Sequence, residues 1–367
     1  MANLRQLCIT LFTMFAVGSI AESAKSAEGN TAESAKSAEG NTAVVAASPA
    51  KKLPLFDRLQ AACVDVLVDG RHAGAGWLAT KNGIVALAAH QVDDPGDVIE
   101  VMSPSLGRMD AELVAVDMGH DVALLRLEPR KEGYPFLPLA RKVPAPGAEI
   151  FQFGSPLFRT RVLQYGRVAR DSPAFVYYGE AKGYIETYLV SANAQGGTSG
   201  GPWVDRNGRV VGIQSGSMKT NDVPVGIAFV SPISSVRRLL ASRKTTRSTT
   251  GGFAAEELWE QNREFIKRFP RSTTGVVVKS VRKDGPGERA QLRAMDLIVA
   301  VDGEPVQLVD KLLGKFREFA PGETVELTVQ HPDAAGQEIR QLTLGMLEVA
   351  WVRADPPVTI DKTSPDE

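Results

Sequence analysis

The chain has 367 residues, with 42 Lys and Arg against 43 Asp and Glu. That length accommodates two domains of ordinary size, and the near-even charge excludes a protein held to nucleic acid by bulk electrostatics. Only two cysteines occur, Cys8 and Cys63, so a disulfide-stapled scaffold is excluded as well.

Residues 1–21 read as an export signal. Arg5 precedes the apolar run "LCITLFTMFAVGSIA", and Ser19-Ile20-Ala21 fits a small-x-small cleavage site. The run is shorter than the roughly 20 residues that span a bilayer. A periplasmic or secreted protein is expected, membrane-tethered if the signal stays uncleaved. Cleavage would leave Cys63 alone, and its alternating context "AACVDVLV" reads it as a small buried apolar residue. The unit "ESAKSAEGNTA" then occurs twice, at 22–32 and 33–43. Two copies of so polar a unit bury no core, and 22–53 is expected to be a disordered linker.

From 54 to 240 short alternating runs such as "CVDVLV", "DVIEV", "VALLRL", "EIFQFG" and "RVVGIQSG" are punctuated by Gly, Pro, Asn and Asp. Many short strands between turn signals predict a mainly β domain, a sandwich or a barrel. "SPISSVRRLLASRK" predicts a helix capped by Ser234 or Ser235, leading into a basic linker at 241–250. Residues 251–348 form a second, α+β domain. Its "EELWEQNREFIKRF" predicts a helix with Leu258, Phe265, Ile266 and Phe269 on one face, and "VDKLLGKFREFA" another with Leu312, Leu313, Phe316 and Phe319 inward. Residues 349–367 form an Asp/Pro-rich tail.

The stretch "ANAQGGTSGGPW" raises the question of chemistry. A serine hydroxyl is a weak nucleophile unless a base takes its proton, and that base is commonly a histidine oriented by a carboxylate. Of the four histidines, His90 ends the buried run "GIVALAAH", where small neighbours leave an imidazole room. Asp121 precedes the strand "VALLRL"; Asp117 is a competing carboxylate without such a strand directly after it. His72, His120 and His331 read as ordinary surface or satisfied histidines. His90, Asp121 and Ser199 stand in the chain order of a chymotrypsin-like double barrel. Gly197 can take the backbone geometry an oxyanion hole needs, with the Ser199 N–H as second donor.

At these residues the chain resembles the HtrA (Deg) family of trypsin-like serine proteases, which carry a protease domain and one or more PDZ domains. "AGAGWLATKNGIVALAAHQV", "AVDMGHDVALLRLE" and "SANAQGGTSGGPWVDRNGRVVGI" are similar to its histidine, aspartate and serine segments, over about 54–240. The resemblance implies a double β-barrel followed by a PDZ domain. It implies a serine endopeptidase for unfolded or damaged proteins, with catalytic His90, Asp121 and Ser199, an oxyanion hole of Gly197, Thr198 and Ser199, and no metal or cofactor. It also implies a homotrimer, with "LPLFDRL" around Phe56 as an apolar contact.

Departures are visible: Thr198 stands where the family has Asn, and Leu87-Ala88 where it has Thr-Asn. By position, Asn193 would form the base of the substrate pocket, with Gly226, Ile227 and Ala228 on its wall; an uncharged pocket predicts small or medium aliphatic residues and disfavours Lys and Arg. In the PDZ-like part, "TTGGFAA" would hold a peptide C-terminus through Gly251, Gly252 and Phe253. The alternative function is a proteolytically silent chaperone or adaptor on the same fold.

Overall fold

The computed structural model describes residues 53–92, 96, 98–170, 172–178, 183–334 and 336–347. The expected export signal, tandem repeat and tail lie outside the described residues. A helix α1 (Leu55–Ala62) leads into six strands: β1 (Cys63–Val68), β2 (Arg71–Leu78), β3 (Ile84–Leu87), β4 (Ile99–Ser103), β5 (Gly107–Asp117) and β6 (Val122–Leu127). They close into a barrel in the order β1-β2-β3-β6-β5-β4. Seven more strands follow: β7 (Glu149–Gly154), β8 (Val162–Val168), β9 (Ala174–Tyr178), β10 (Gly183–Ser191), β11 (Pro202–Val204), β12 (Val210–Thr220) and β13 (Val223–Pro232). Their sheet runs β13-β12-β11-β7-β8-β10-β9, and a β13–β10 pairing closes it. The first domain is therefore a double barrel, the mainly β fold expected.

The strands β3 and β6 are nearly free of polar residues because both their faces are buried over most of their length, Arg126 near the end of β6 being the exposed exception. Ile84, Ala86, Val122 and Leu124 join a cluster that also holds Phe153, Val204 and Ile213 of the second barrel. Their alternate neighbours Val85, Leu87, Ala123 and Leu125 fill the first barrel. The period of two thus sends successive side chains to two different cores. The seam between barrels is apolar and packed, and it sets where one barrel's edge meets the other's. Cys63 lies in that seam, and burial pushes its thiol above the ordinary range, as suits an inert apolar residue.

Helix α2 (Ile233–Ser242) starts one residue before Ser234 and two before Ser235, the serines that sequence reading placed at its cap. Pro232 is the cap, and the Ser235 hydroxyl donates back to Pro232 O at 2.7 Å. Val236 and Leu239 face the seam. The segment expected as a free linker is pinned: Thr246 N–H donates to Val116 O at 2.8 Å.

The second domain comprises β14 (Thr249–Thr250), β15 (Phe253–Glu257), α3 (Arg263–Ile266), β16 (Val276–Val281), α4 (Pro286–Arg289), β17 (Leu297–Val301), β18 (Glu304–Pro305), α5 (Val309–Phe316), β19 (Thr324–Gln330), β20 (Gln337–Thr343) and β21 (Gly345–Met346). Its main sheet runs β15-β16-β17-β19-β20. The long helix expected from "EELWEQNREFIKRF" does not form. Glu256 and Glu257 are extended because β15 pairs with β16, and Asn262 caps only the four-residue α3 by accepting from Phe265 N–H. Leu258, Phe265 and Phe269 still meet in one cluster, with Ile266 beside them. Helix α5 behaves as its apolar spacing requires, burying Leu312, Leu313 and Phe316.

Asp296, fully buried, accepts from Arg293 N–H at 2.8 Å and from Arg340 at 2.9 Å. Arg340→Ala would strand that carboxylate. The expected loss is about 3 kcal/mol of second-domain stability, read as a lower urea midpoint; an unchanged midpoint refutes the pairing.

Candidate active site

His90 and Asp121 sit at neighbouring strand ends of the first barrel. Main-chain pairing of Leu87 with Ala123 across β3 and β6 sets their separation. Asp121 follows a 3₁₀ turn with φ 54°, in the left-handed region that Asp tolerates better than most residues. Its carboxylate is fully buried. Oδ1 accepts from His90 N–H at 2.9 Å, and Oδ2 accepts from His90 Nδ1 at 2.8 Å and from the Ser215 hydroxyl. An ionised carboxylate has no proton to give, so His90 Nδ1 carries the hydrogen and Nε2 carries the lone pair. The His90 side chain is 23% exposed, whereas Asp121 behind it is fully buried.

The serine loop is built by contacts from both barrels. Ser199 O accepts from Ala75 N–H at 2.8 Å and from the Gln91 amide at 3.1 Å. Gly200 N–H donates to Gln214 O at 2.7 Å, and a Cβ on Gly200, at φ +81°, would collide with Ala75 O. The Ser199 hydroxyl donates to Ser215 O at 3.4 Å. Gly197 has φ +90°, and a Cβ there would collide with Ser155 O. Gly196 O accepts from Leu157 N–H at 2.8 Å; across a trans peptide, the Gly197 N–H therefore points the opposite way. Among the described residues, neither Gly197 N–H nor Ser199 N–H donates to a protein acceptor. The Thr198 amide, expected as a third oxyanion donor, is instead committed to Gln195 O at 3.3 Å, with its hydroxyl on the same oxygen at 2.6 Å. Thr198 closes a turn, which is why a β-branched residue fits there.

The cleft beside Ser199 is walled by Ala194, Gly216, Ser217, Tyr178, Phe229 and Lys219. The residues assigned to the pocket from sequence position lie elsewhere. Asn193 is exposed. Gly226 O is used by Ala192 N–H, Ile227 pairs with Ser191, and Ala228 is buried in the second barrel's core. The β10–β13 pairing that closes the barrel draws all three into its ladder.

Sequence reading missed Gln91, Ser215 and Tyr178. Gln91 adjoins His90 and ties it to the serine loop. Ser215 has a single proton, given to Asp121, so Tyr178 Oη donates to Ser215 Oγ at 2.8 Å. Only adjacency to "AAH" and "GIQSG" hinted at the first two.

The loop expected to capture a peptide carboxylate is closed. Gly251, Gly252 and Phe253 are buried, Gly252 N–H is held by the Thr250 hydroxyl at 3.2 Å, and the Phe253 ring packs edge-on against Phe316. Along the outer edge of β15, Tyr184 from β10 takes the place of an added strand. Its hydroxyl accepts from Ala255 N–H at 2.7 Å and donates to Ala255 O at 3.0 Å. Burial pushes the Tyr184 hydroxyl up to about 12. Phe175 packs against the same core, and its N–H donates to Asp310 Oδ1 at 2.8 Å.

Asp117 does not compete for His90; it faces His120 Nδ1 at 3.0 Å. His120 also meets Glu186 of β10 at 3.4 Å, with Arg238 of α2 and Arg317, at the end of α5, close by. Burial disfavours its charge, but the two carboxylates outweigh burial and raise its pKa above the ordinary imidazole value. Among the described residues, no group of three His, Cys, Asp or Glu could hold a metal ion.

A family model described as a trypsin-like peptidase domain matches residues 74–213, and a PDZ domain model matches 254–344. A probable periplasmic serine endoprotease, DegP-like, of Brucella suis is 28% identical over 268 residues, 71% of this chain and 50% of that protein. Serine protease HTRA1 of Xenopus laevis is 27% identical, over 64% of this chain and 52% of its own length. The chain spans about half the length of these curated relatives. Among solved structures, the HtrA-type protease AlgW with a tripeptide aligns over 82% of this chain and 97% of its own, with TM-score 0.59 and 19% identity. The serine endoprotease of Yersinia pestis aligns over 80% and 97%, with TM-score 0.54 and 22% identity.

The raised pKa of His120 has a definite sign. The native state binds its proton more tightly than the unfolded chain, so the stabilisation is complete below about pH 6.5 and is lost as pH rises through the raised value. Wild type is expected to lose stability relative to His120→Gln as pH rises above about 6.5, with a slope of at most about 1.4 kcal/mol per pH unit. Parallel melting curves for the two proteins above that pH would contradict it.

Proposed function

The chain belongs to the HtrA-like serine proteases with a C-terminal PDZ domain, and from that premise we propose that it hydrolyses peptide bonds with Ser199 as nucleophile, His90 as general base and Asp121 as the orienting carboxylate. The observation that carries this reading is the buried Asp121 tying His90 Nδ1 beside a serine loop whose Gly197 and Ser199 amides are open. A substrate main-chain N–H placed on Ser215 O would release the Ser199 hydroxyl from that oxygen. His90 Nε2 then takes the hydroxyl proton as Oγ adds to the carbonyl carbon. The Gly197 and Ser199 N–H groups hold the resulting oxyanion, and the imidazolium gives its proton to the leaving amine. Water, deprotonated by the same imidazole, releases the acyl group.

Substrates on this reading are unfolded or damaged exported polypeptides, in keeping with relatives named as periplasmic endoproteases. The Ala194 and Phe229 walls favour a small or medium apolar side chain, and Lys219 disfavours a cationic one. A homotrimer remains part of the proposal, with Phe56 half-exposed on α1 and its ring edge-on to Phe153. Wild type is expected to label with a fluorophosphonate and to degrade unfolded casein, and Ser199→Ala to do neither. No labelling of wild type, with retained suppression of aggregation, would instead favour the silent chaperone.

The PDZ domain can take a peptide C-terminus along β15 only if Tyr184 withdraws. Removing an internal competitor raises apparent affinity by the fraction of time it blocked the site. Tyr184→Ala is expected to strengthen binding of apolar C-terminal peptides about tenfold or more, read by fluorescence anisotropy. Equal affinity for both proteins would mean that Tyr184 does not guard the edge.

A further inference from the structure

A second polar constellation lies outside the His90–Asp121–Ser199 set. Asp65 of β1 is mostly buried, its side chain 15% exposed. The Ser155 hydroxyl donates to Asp65 Oδ1 at 2.6 Å, and His72 Nε2 lies 3.2 Å from the same oxygen. Burial works against the Asp65 charge, but the His72 and Ser155 bonds outweigh it and hold the carboxyl below its ordinary range. The constellation does not have the order of a catalytic set, because the carboxylate sits between hydroxyl and imidazole and the His72 ring meets Asp65 rather than the Ser155 oxygen.

What it does hold is a loop. Ser155 follows β7 in the second barrel, whereas Asp65 belongs to the first. Beyond Ser155, Leu157, Phe158 and Arg161 all have positive φ, 48°, 61° and 62°, without being glycine. Leu157 and Phe158 are 62% and 69% exposed, so burial of their side chains does little to offset that backbone strain. The Asp65–Ser155 bond, to a carboxylate of the other barrel, tethers the loop, backed by the His72 ring packed edge-on against Phe158. The tethered loop in turn acts on the serine loop. Leu157 N–H donates to Gly196 O, and Ser155 O occupies the place a Cβ on Gly197 would take.

We propose that Asp65 and Ser155 are positioning residues for the oxyanion hole, tethering the 155–158 loop so that Leu157 holds the Gly196–Gly197 peptide with its N–H turned into the cleft. The proposal rests on Ser199 being the nucleophile. Release of the tether would let that peptide rotate. The lost donor would be felt where charge develops in the transition state and little in ground-state binding. The control therefore appears in kcat.

The test uses the full chain with Ser155→Ala, Ser155→Thr and Asp65→Ala. For Ser155→Ala, kcat on a chromogenic peptide is expected to fall about tenfold with KM within about twofold, and Ser155→Thr to recover most of the loss. Asp65→Ala added to Ser155→Ala should cost little more, because the two act through one bond. Hydrogen exchange gives a readout independent of hydrolysis: the Leu157 amide should exchange about tenfold faster in Ser155→Ala. An unchanged Leu157 amide, or a change confined to KM, overturns the proposal. A wild type that cleaves no peptide while its Leu157 amide still responds overturns the protease reading and leaves the tether standing.

Discussion

A fully buried carboxylate at the meeting of two barrels is costly unless donors surround it, and Asp121 is surrounded by donors that neither barrel supplies alone. His90 gives two of them from the first barrel and Ser215 gives the third from the second. Removing solvent from that charge is tolerable only while all three are in place, so the energetics of one side chain demand one relative placement of the barrels. The apolar seam of Trp77, Phe153, Val204 and Ile213 supplies the bulk of the attraction; the polar cluster adds the register. Asp121 also accepts a left-handed backbone to reach its position, a local cost that the same hydrogen bonds offset.

From this centre, contacts run outward to the second domain through strands β9 and β10, with the Arg170–Asp310 ion pair and Leu347 in the first barrel's core beside them. Strands β9 and β10 bring Tyr178 to Ser215, Glu186 to His120 and Tyr184 to the open edge of β15. The cleft, the charged cluster behind it and the β15 edge of the PDZ domain are therefore joined by one short piece of antiparallel sheet. Arg317 reinforces the joint, its guanidinium donating to Tyr184 O and to Thr249 O. The β15 edge and the Ser215 side of the cleft thus bear on the same strands, though they lie in different domains.

The sequence carried much of this in readable form. Alternation in "CVDVLV" and "EIFQFG" marked strands, and "VDKLLGKFREFA" marked a helix, because each segment has one face to bury and its period names the face. His90, Asp121 and Ser199 were legible because each stands in a distinctive local context. "EELWEQNREFIKRF" misled because its apolar spacing suits a helix, while pairing of Glu256 and Glu257 with β16 makes the first part extended. Thr198 as a donor, and Asn193, Gly226, Ile227 and Ala228 as pocket, failed for a related reason: amide directions and strand register depend on partners far away in the chain.

Sequence alone determined the class of fold and the two-domain order and named His90, Asp121 and Ser199 as candidates, since these follow from local periodicity and from side-chain chemistry. Tertiary structure alone decided which donors surround Asp121, that Leu157 N–H holds Gly196 O, and that Tyr184 covers β15. Each of these is a hydrogen bond between segments 31 to 94 residues apart, and no residue carries in its own neighbourhood the direction from which such a partner arrives.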